Sequence, residues 1–375
     1  MKFTVDSGVL TDSVNWVSRS LSTRPIMTAL LGIVIDVQTE VTLSASDLET
    51  SAKSSFSADI NEKGRVLVPG RLLSEISKAL PNKPVSFHLD GSRVLVTAGS
   101  AKFTLPTLPI NEYPNLPTLP ETTGVIDSDL FATAVNQVAV AAGRDDSLPT
   151  LTGIHVDINK DSITFAATDR YRLAVREINW RPNNPEITAT ALLRARTLAD
   201  ATRSITNTKE VSFAIAPTIS NERLIGFTNG PKSMTSRQLD GTFPPYRHLL
   251  PTEGIATAVI EVAKLLDSVR RVALVTDKTI PLRLKFNDGS LQLEAGAGDE
   301  AQATEELEIQ YSGEAIDIAF NPTFLADGLN ALGTKYVNIA FTGSNKPAML
   351  SGKNKIDGEI DNSYRYLLMP MRYAS

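Results

Sequence analysis

The chain has 375 residues, 42% of them hydrophobic and 21% charged, which is the make-up of an ordinary globular protein with room for two or three domains. It contains no cysteine, which excludes disulfides, thiolate nucleophiles and zinc–thiolate centres. A net charge of −5 argues against coating nucleic acid by bulk attraction, though a local basic face stays open.

The N-terminus opens on the strand-like alternation Met1-Lys2-Phe3-Thr4-Val5, with no apolar signal core. No apolar run approaches the roughly 18 residues that a membrane span needs. The expectation is a soluble, cytoplasmic protein. In chain order, candidate helices follow at 7–21, 68–80, 129–142, 193–205, 259–275 and 320–332, with apolar residues recurring at i, i+3, i+4 and i+7. The second, fourth and sixth each lead into a short strand pattern: Val85-Ser86-Phe87, Val211-Ser212-Phe213 and Val337-Asn338-Ile339. Gly32-Ile33-Val34-Ile35-Asp36-Val37 followed by Ser46-Asp47-Leu48-Glu49 matches Gly153-Ile154-His155-Val156-Asp157-Ile158 followed by Thr168-Asp169-Arg170-Tyr171. In the last third, Pro281 to Phe286 keeps the alternation and loses the aspartate turn.

A unit of helix, strands, helix, strands therefore repeats three times. Prolines 106, 109, 114, 117 and 120 punctuate the first junction, and Phe243-Pro244-Pro245-Tyr246 with Pro251 the second. Domains at 1–122, 123–252 and 253–375 are expected, each α+β with two helices on one side of antiparallel sheet.

The apolar strip Tyr366-Leu367-Leu368-Met369-Pro370-Met371-Arg372 suits half of a docking site, since thioethers repack around varied side chains. An ordinary final strand is its plainer reading. His88, His155 and His248 lack metal-ligand spacing, Gly296-Ala297-Gly298 lacks the rest of a dinucleotide fingerprint, and Gly352-Lys353 lacks the upstream P-loop glycine. Asp47 and Asp169 occupy equivalent positions in two repeats, which makes them turn formers before paired acids. A non-catalytic protein without cofactor or metal is the expectation.

The repeats, together with Ser22-Thr23-Arg24-Pro25, the run Ala167-Thr168-Asp169-Arg170-Tyr171-Arg172-Leu173-Ala174, Phe243-Pro244-Pro245-Tyr246-Arg247 and Leu368-Met369-Pro370-Met371-Arg372, resemble the bacterial β sliding clamps over the whole chain. Those clamps are the processivity subunits of DNA polymerase III, and the version here looks closest to actinobacterial members. The resemblance implies three clamp domains in a head-to-tail dimeric ring around double-stranded DNA. Its implied partners are the polymerase III α subunit, the clamp loader, and other polymerases and repair proteins through short linear motifs. The six candidate helices carry nine basic against seven acidic residues, a mildly positive lining inside an acidic shell.

By the same resemblance, a peptide pocket takes in Leu151, Thr168, Arg170, Tyr171, Arg172, Leu173, Pro244, Arg247, His248, Leu249, Asn321, Phe324, Pro347, Leu367, Met369, Pro370, Met371 and Arg372. Arg170 and Tyr171 stand where enterobacterial clamps have a small residue and a histidine, and His248 where an arginine is frequent, so the polar rim departs from that pattern. Arg24, and more weakly Arg144 with Thr150, are the DNA candidates. For ring closure, Phe103 and Leu105 are expected to face Ala273 and Leu274 of the other chain, with Lys102 and Arg71 near Asp299, Glu300, Glu305 or Glu306. A repeat scaffold that binds peptides without encircling DNA is the alternative.

Overall fold

The structure, a computed structural model, describes residues 1–22, 24–203, 208–215, 223–251, 254–276, 280–296 and 301–372. One motif of nine strands and two helices runs along it three times.

The first copy comprises β1 (Lys2–Val5), α1 (Ser7–Ser18), β2 (Gly32–Val37), β3 (Val41–Ser46), β4 (Thr50–Phe56), β5 (Asp59–Glu62), β6 (Gly64–Pro69), α2 (Gly70–Ala79), β7 (Val85–Asp90), β8 (Arg93–Ala98) and β9 (Ala101–Pro106). The second comprises β10 (Gly124–Asp127), α3 (Ser128–Ala139), β11 (Gly153–Asn159), β12 (Ser162–Thr168), β13 (Arg172–Asn179), β14 (Arg181–Pro182), β15 (Thr188–Arg194), α4 (Ala195–Thr202), β16 (Glu210–Ile215), β17 (Leu224–Asn229) and β18 (Lys232–Arg237). The third comprises β19 (Ala256–Glu261), α5 (Val262–Val272), β20 (Leu282–Asn287), β21 (Ser290–Ala295), β22 (Ala303–Glu308), β23 (Gln310–Gly313), β24 (Ile316–Phe320), α6 (Pro322–Leu332), β25 (Tyr336–Phe341), β26 (Ala348–Lys353) and β27 (Asp361–Leu368).

All six expected helices form, slightly shorter than their periodic patterns, because local caps set the ends. Asp6 starts α1 by accepting the Gly8 and Val9 N–H groups, and the helix buries the stripe Leu10, Val14 and Val17. Asn321 does the same for α6, which Gly333 terminates at a left-handed φ of 68°.

The chain divides into two compact units. The first holds Met1–Phe131, Trp180–Pro185 and Asp200–Gln238. Its sheets run β5-β1-β7-β8-β9 and β14-β10-β16-β17-β18-β4-β3-β2-β6. Its core includes Phe3 stacked on Phe87 at 4.8 Å and Trp16, whose indole N–H donates to the Lys53 carbonyl at 2.9 Å. Lys232, 2% exposed, is held by Asp12 at 2.8 Å.

The second unit holds Ala132–Asn179, Glu186–Ala199 and Leu239–Ser375, with sheets β15-β11-β12-β13-β27-β26-β25-β19-β23 and β22-β21-β20-β24. Each nine-stranded sheet is a five-strand half from one repeat joined to a four-strand half from another, through antiparallel β18–β4 in one unit and β13–β27 in the other. The five-stranded and four-stranded sheets are the remaining halves of the same pattern. Of their edge strands, β9 and β22 occupy the positions at which β18 and β4 are joined.

Candidate functional site

Between β12 and β13 the chain turns on Asp169. Its Oδ1 accepts the N–H groups of Tyr171 and Arg172, both at 3.0 Å. Thr168 Oγ1 donates to the Arg172 carbonyl at 2.7 Å and accepts from Arg170 N at 3.2 Å. These bonds hold Arg170 in the left-handed region at φ 80°, where a non-glycine residue is uncommon. The first repeat builds the same turn: Asp47 accepts from Glu49 N at 3.0 Å and Thr50 N at 2.6 Å, with Leu48 at φ 78°. Both aspartates are turn formers, as their equivalent positions predicted.

The turn delivers Arg172, 5% exposed, into a clasp. Its Nε donates to Asp169 at 2.9 Å, and one Nη donates to Asp327 of α6 at 2.7 Å and to the Tyr366 hydroxyl at 3.4 Å. Burial acts to lower the Arg172 pKa, but Tyr366, Asp327 and Asp169 raise it above the ordinary arginine value. The guanidinium lies 4.2 Å over the Phe324 ring, and Tyr171 stacks on Phe324 at 6.4 Å. Tyr366 donates onward to the Phe324 carbonyl at 2.8 Å. Gly328 makes room for this tyrosine, since a Cβ there would stand 2.4 Å from Cε1 of its ring.

Around the clasp opens a cavity of about 330 Å³ lined by Ala142, Gly143, Arg144, Asp145, Leu148, Leu151, Asp169, Arg170, Tyr171, Arg172, Thr323, Phe324 and Asp327. Five residues of the expected pocket are gathered here: Leu151, Arg170, Tyr171, Arg172 and Phe324. Arg144, expected at DNA, also lines it. Sequence reasoning missed Asp327, which carries no motif and meets Arg172 only through folding.

A second group, Leu173 and Leu367, lies opposite across β13 and β27 in an apolar cluster with Val175, Leu192, Phe243 and Tyr246. Burying one leucine side chain contributes about 1.5–3 kcal/mol. Pro244, His248 and Leu249 are exposed on the segment that supplies Phe243 and Tyr246, and Arg247 there pairs with Asp157 at 2.7 Å. Beyond β27, Met369 N donates to the Tyr171 carbonyl at 2.9 Å and Met371 N to that of Ala319 at 2.8 Å. Met369 is exposed, Pro370 and Met371 are half-buried, and Arg372 is exposed. Asn321 serves as the α6 cap, while Thr168 and Pro347 are half-buried.

The residues expected at ring closure are spread over both units. Lys102 and Arg71 are exposed, and Leu274 is 83% exposed beside half-buried Ala273. Leu105 requires a correction. It is fully buried in the first unit's own core, opposite Val94, so it has no surface left for a second chain. Phe103, on the same face of β9, packs partly against that core. Glu305 is engaged by Arg271 and Ser268 of its own chain, which hold its carboxyl below the usual carboxylate range, and Glu306 is exposed. Asp299 and Glu300 lie outside the described residues. Arg24 is exposed after α1, and Thr150 is half-buried in the turn Pro149–Thr152.

A groove of about 660 Å³ beside Leu274 is lined by Ala273, by the α6 cap Asn321 and, on α6, by Thr323 and Asp327. Thr323 and Asp327 thus also belong to the wall of the Arg172 cavity. Among the described residues no group of three or more His, Asp or Glu side chains is placed to hold a metal, and no helix is long and apolar enough to cross a membrane.

Family models of the DNA polymerase III β subunit match three successive stretches: the N-terminal domain at residues 1–117, the central domain at 125–245 and the C-terminal domain at 247–372. The β sliding clamp of Streptomyces coelicolor is 49% identical over 375 residues, covering 100% of each chain. That of Micrococcus luteus is 44% identical over 308 residues, 82% of this chain and 98% of its own. A solved Pseudomonas aeruginosa sliding clamp bound to griselimycin matches at TM-score 0.90 with 26% identity, covering 100% of both chains.

Proposed function

The chain belongs to the DNA polymerase III β-subunit family, the β sliding clamps, and we propose that two copies join head to tail into a ring that encircles duplex DNA. It is a sliding clamp, and it works by topology. The domains are taken as 1–122, 123–252 and 253–375, and the site of action is the cytoplasm. No bond is made or broken.

The observation that carries the ring is the strand count. Five-strand and four-strand halves are fused twice within the chain, and the two unfused halves have β9 and β22 at the edges where the others are joined. Pairing β9 of one copy with β22 of the other builds a third nine-stranded sheet like the first two. Because the edges are unlike, the contact is head-to-tail and forms twice in a closed dimer. With Phe103 in the place of Met234 and Ala303 in that of Ala52, the β18–β4 register sets Phe103 opposite Ala303 and Lys102 opposite Thr304. Exposed Leu274, with Leu72 at 40% exposure on α2, supplies apolar surface at the same seam.

Inside the ring, Arg24 and helix cations make weak, sequence-indifferent phosphate contacts that permit sliding. The Arg172 cavity and the Leu173–Leu367 cluster with the 369–372 tail receive short linear segments of the polymerase α subunit, the clamp loader and repair proteins. The griselimycin-bound relative supports a ligand site in this family.

The test is retention on DNA. Loaded by a clamp loader onto nicked circular plasmid, the protein should stay through a wash at about 1 M salt, where phosphate contacts fail. It should leave when the plasmid is cut once. Salt-sensitive binding that is indifferent to cutting would favour the non-encircling scaffold.

A further inference from the structure

We infer that Arg271 acts across the closing seam: in the ring its guanidinium reaches the other copy and caps the C-terminal end of helix α2 there. This rests on the ring reading and goes beyond it by assigning a donor and its acceptors.

The first helix of each repeat starts directly after a strand, so positions along α1, α3 and α5 are matched by counting from Ser7, Ser128 and Val262. The fourth, eighth and eleventh residues are buried in all three: Leu10, Val14 and Val17; Phe131, Val135 and Val138; Leu265, Val269 and Val272. The seventh residue supports the match. Ser13 of α1 accepts from Ser54 of β4 at 3.1 Å, and Ser268 of α5 donates to Glu305 of β22 at 2.5 Å. Helix α5 therefore lies over the seam strand β22 as α1 lies over β4.

At both joints within the chain, a side chain from a first helix donates to the last turn of the second helix of the following repeat. Arg19, just past α1, donates to the Asp200 carbonyl of α4. Gln137, the tenth residue of α3, donates to the Ala331 carbonyl of α6 at 2.9 Å. Such donors satisfy carbonyls that a helix end leaves unpaired, and a cation also suits the negative end of the helix dipole.

Ring closure sets α5 against α2 of the other copy, and α2 ends in the same need. Pro81 has no N–H, so the Ser77 carbonyl accepts from Thr11 Oγ1 at 2.8 Å instead. Lys83 N, which would continue the helix to Ala79, donates to Pro81. No helical N–H therefore reaches the Ala79 carbonyl, the counterpart of Ala331. On α5, Leu274 holds the place of Arg19 and has nothing to donate. Its tenth residue is Arg271, the counterpart of Gln137. Glu305 braces Nε at 3.0 Å, Nη2 donates to Glu305 and Ser268, and Nη1 donates to no described residue. The side chain is 59% exposed, yet its guanidinium is already oriented, so little rotamer freedom is lost when the copies meet. The two N–H groups of Nη1 are what the α2 terminus lacks.

Sedimentation of the full chain over a dilution series tests this with Arg271→Met and Arg271→Gln. Both replace an exposed side chain, and circular dichroism checks that both fold; only glutamine keeps an N–H donor. A cation at a helix C-terminus is worth about two- to fivefold, and a closed dimer holds the contact twice, so Arg271→Met should raise the dimer Kd about tenfold. Arg271→Gln, which supplies the donor that α3 uses, should recover most of that loss. Equal weakening by the two variants would confine Arg271 to holding Glu305 in its own chain and overturn the inference, as would a methionine variant that dimerises like the wild type. A wild-type chain that sediments as a monomer would remove the ring reading together with it.

Discussion

Arg172 and Asp327, 155 residues apart in sequence, meet at 2.7 Å, and the contact joins the turn before β13 to helix α6. Asp327→Ala leaves the buried guanidinium with Asp169 as its one carboxylate partner among the described residues. Losing a charged partner of a buried group costs about 1–3 kcal/mol, and the lower half of that range is expected because Asp327 is 35% exposed. Thermal unfolding should show the loss. Peptide affinity should fall with it, since Phe324 loses the cation that lies over its ring; an unchanged affinity would mean that the clasp does not shape the cavity.

Ring closure makes a register prediction that cysteine chemistry can read, because the chain has no cysteine of its own. Oxidising the variant Lys102→Cys with Thr304→Cys should give a covalent dimer on a denaturing gel, as directly opposed residues approach disulfide distance. Lys102→Cys with Glu305→Cys should not, since a one-residue step points the side chain to the other face. The reverse outcome would place the seam one residue away.

Burial lowers the His155 pKa, with Asp157 opposing and Arg247 adding to the effect, and the ring stacks on Phe243 at 5.2 Å. The unfolded chain then binds a proton, near the ordinary value of about 6.5, more readily than the folded one. The His155 contribution is complete above that pH and is lost as pH falls below it. Melting temperature measured from pH 7.5 to 5.5 should therefore drop more steeply in the wild type than in His155→Gln. Parallel slopes would remove His155 from the account.

Deleting 369–375 removes the backbone bonds from Met369 to Tyr171 and from Met371 to Ala319. Binding of a polymerase-tail peptide should be lost, and sedimentation should still show a dimer, because β9 and β22 are untouched. Retained affinity would reduce the segment to an ordinary chain end.

Much of this was readable from the chain. Helix periodicity gave six helices whose caps, Asp6 and Asn321, are local, and the aspartate turns were visible because Asp47 and Asp169 act on residues within three positions. Long-range partners were not. Nothing near Arg172 announces Asp327, and nothing near Glu305 announces Arg271. Leu105 shows a different limit: strand alternation puts it on one face with Phe103, but cannot say whether that face meets the chain's own core or a second copy.

The two free edges also differ in charge. β22 presents Glu305, Glu306 and Glu308, while β9 carries Lys102 as its charged residue. Laid against its own kind, a β22 edge would set glutamates against glutamates in the antiparallel ladder, which is unfavourable. An unclosed monomer leaves β9 and β22 without the partners that β18 and β4 have, the usual template for runaway association. Unlike edges attract and the glutamate-rich edge repels its like, so the sequence that closes the ring also discourages that edge from seeding a stack of misjoined copies.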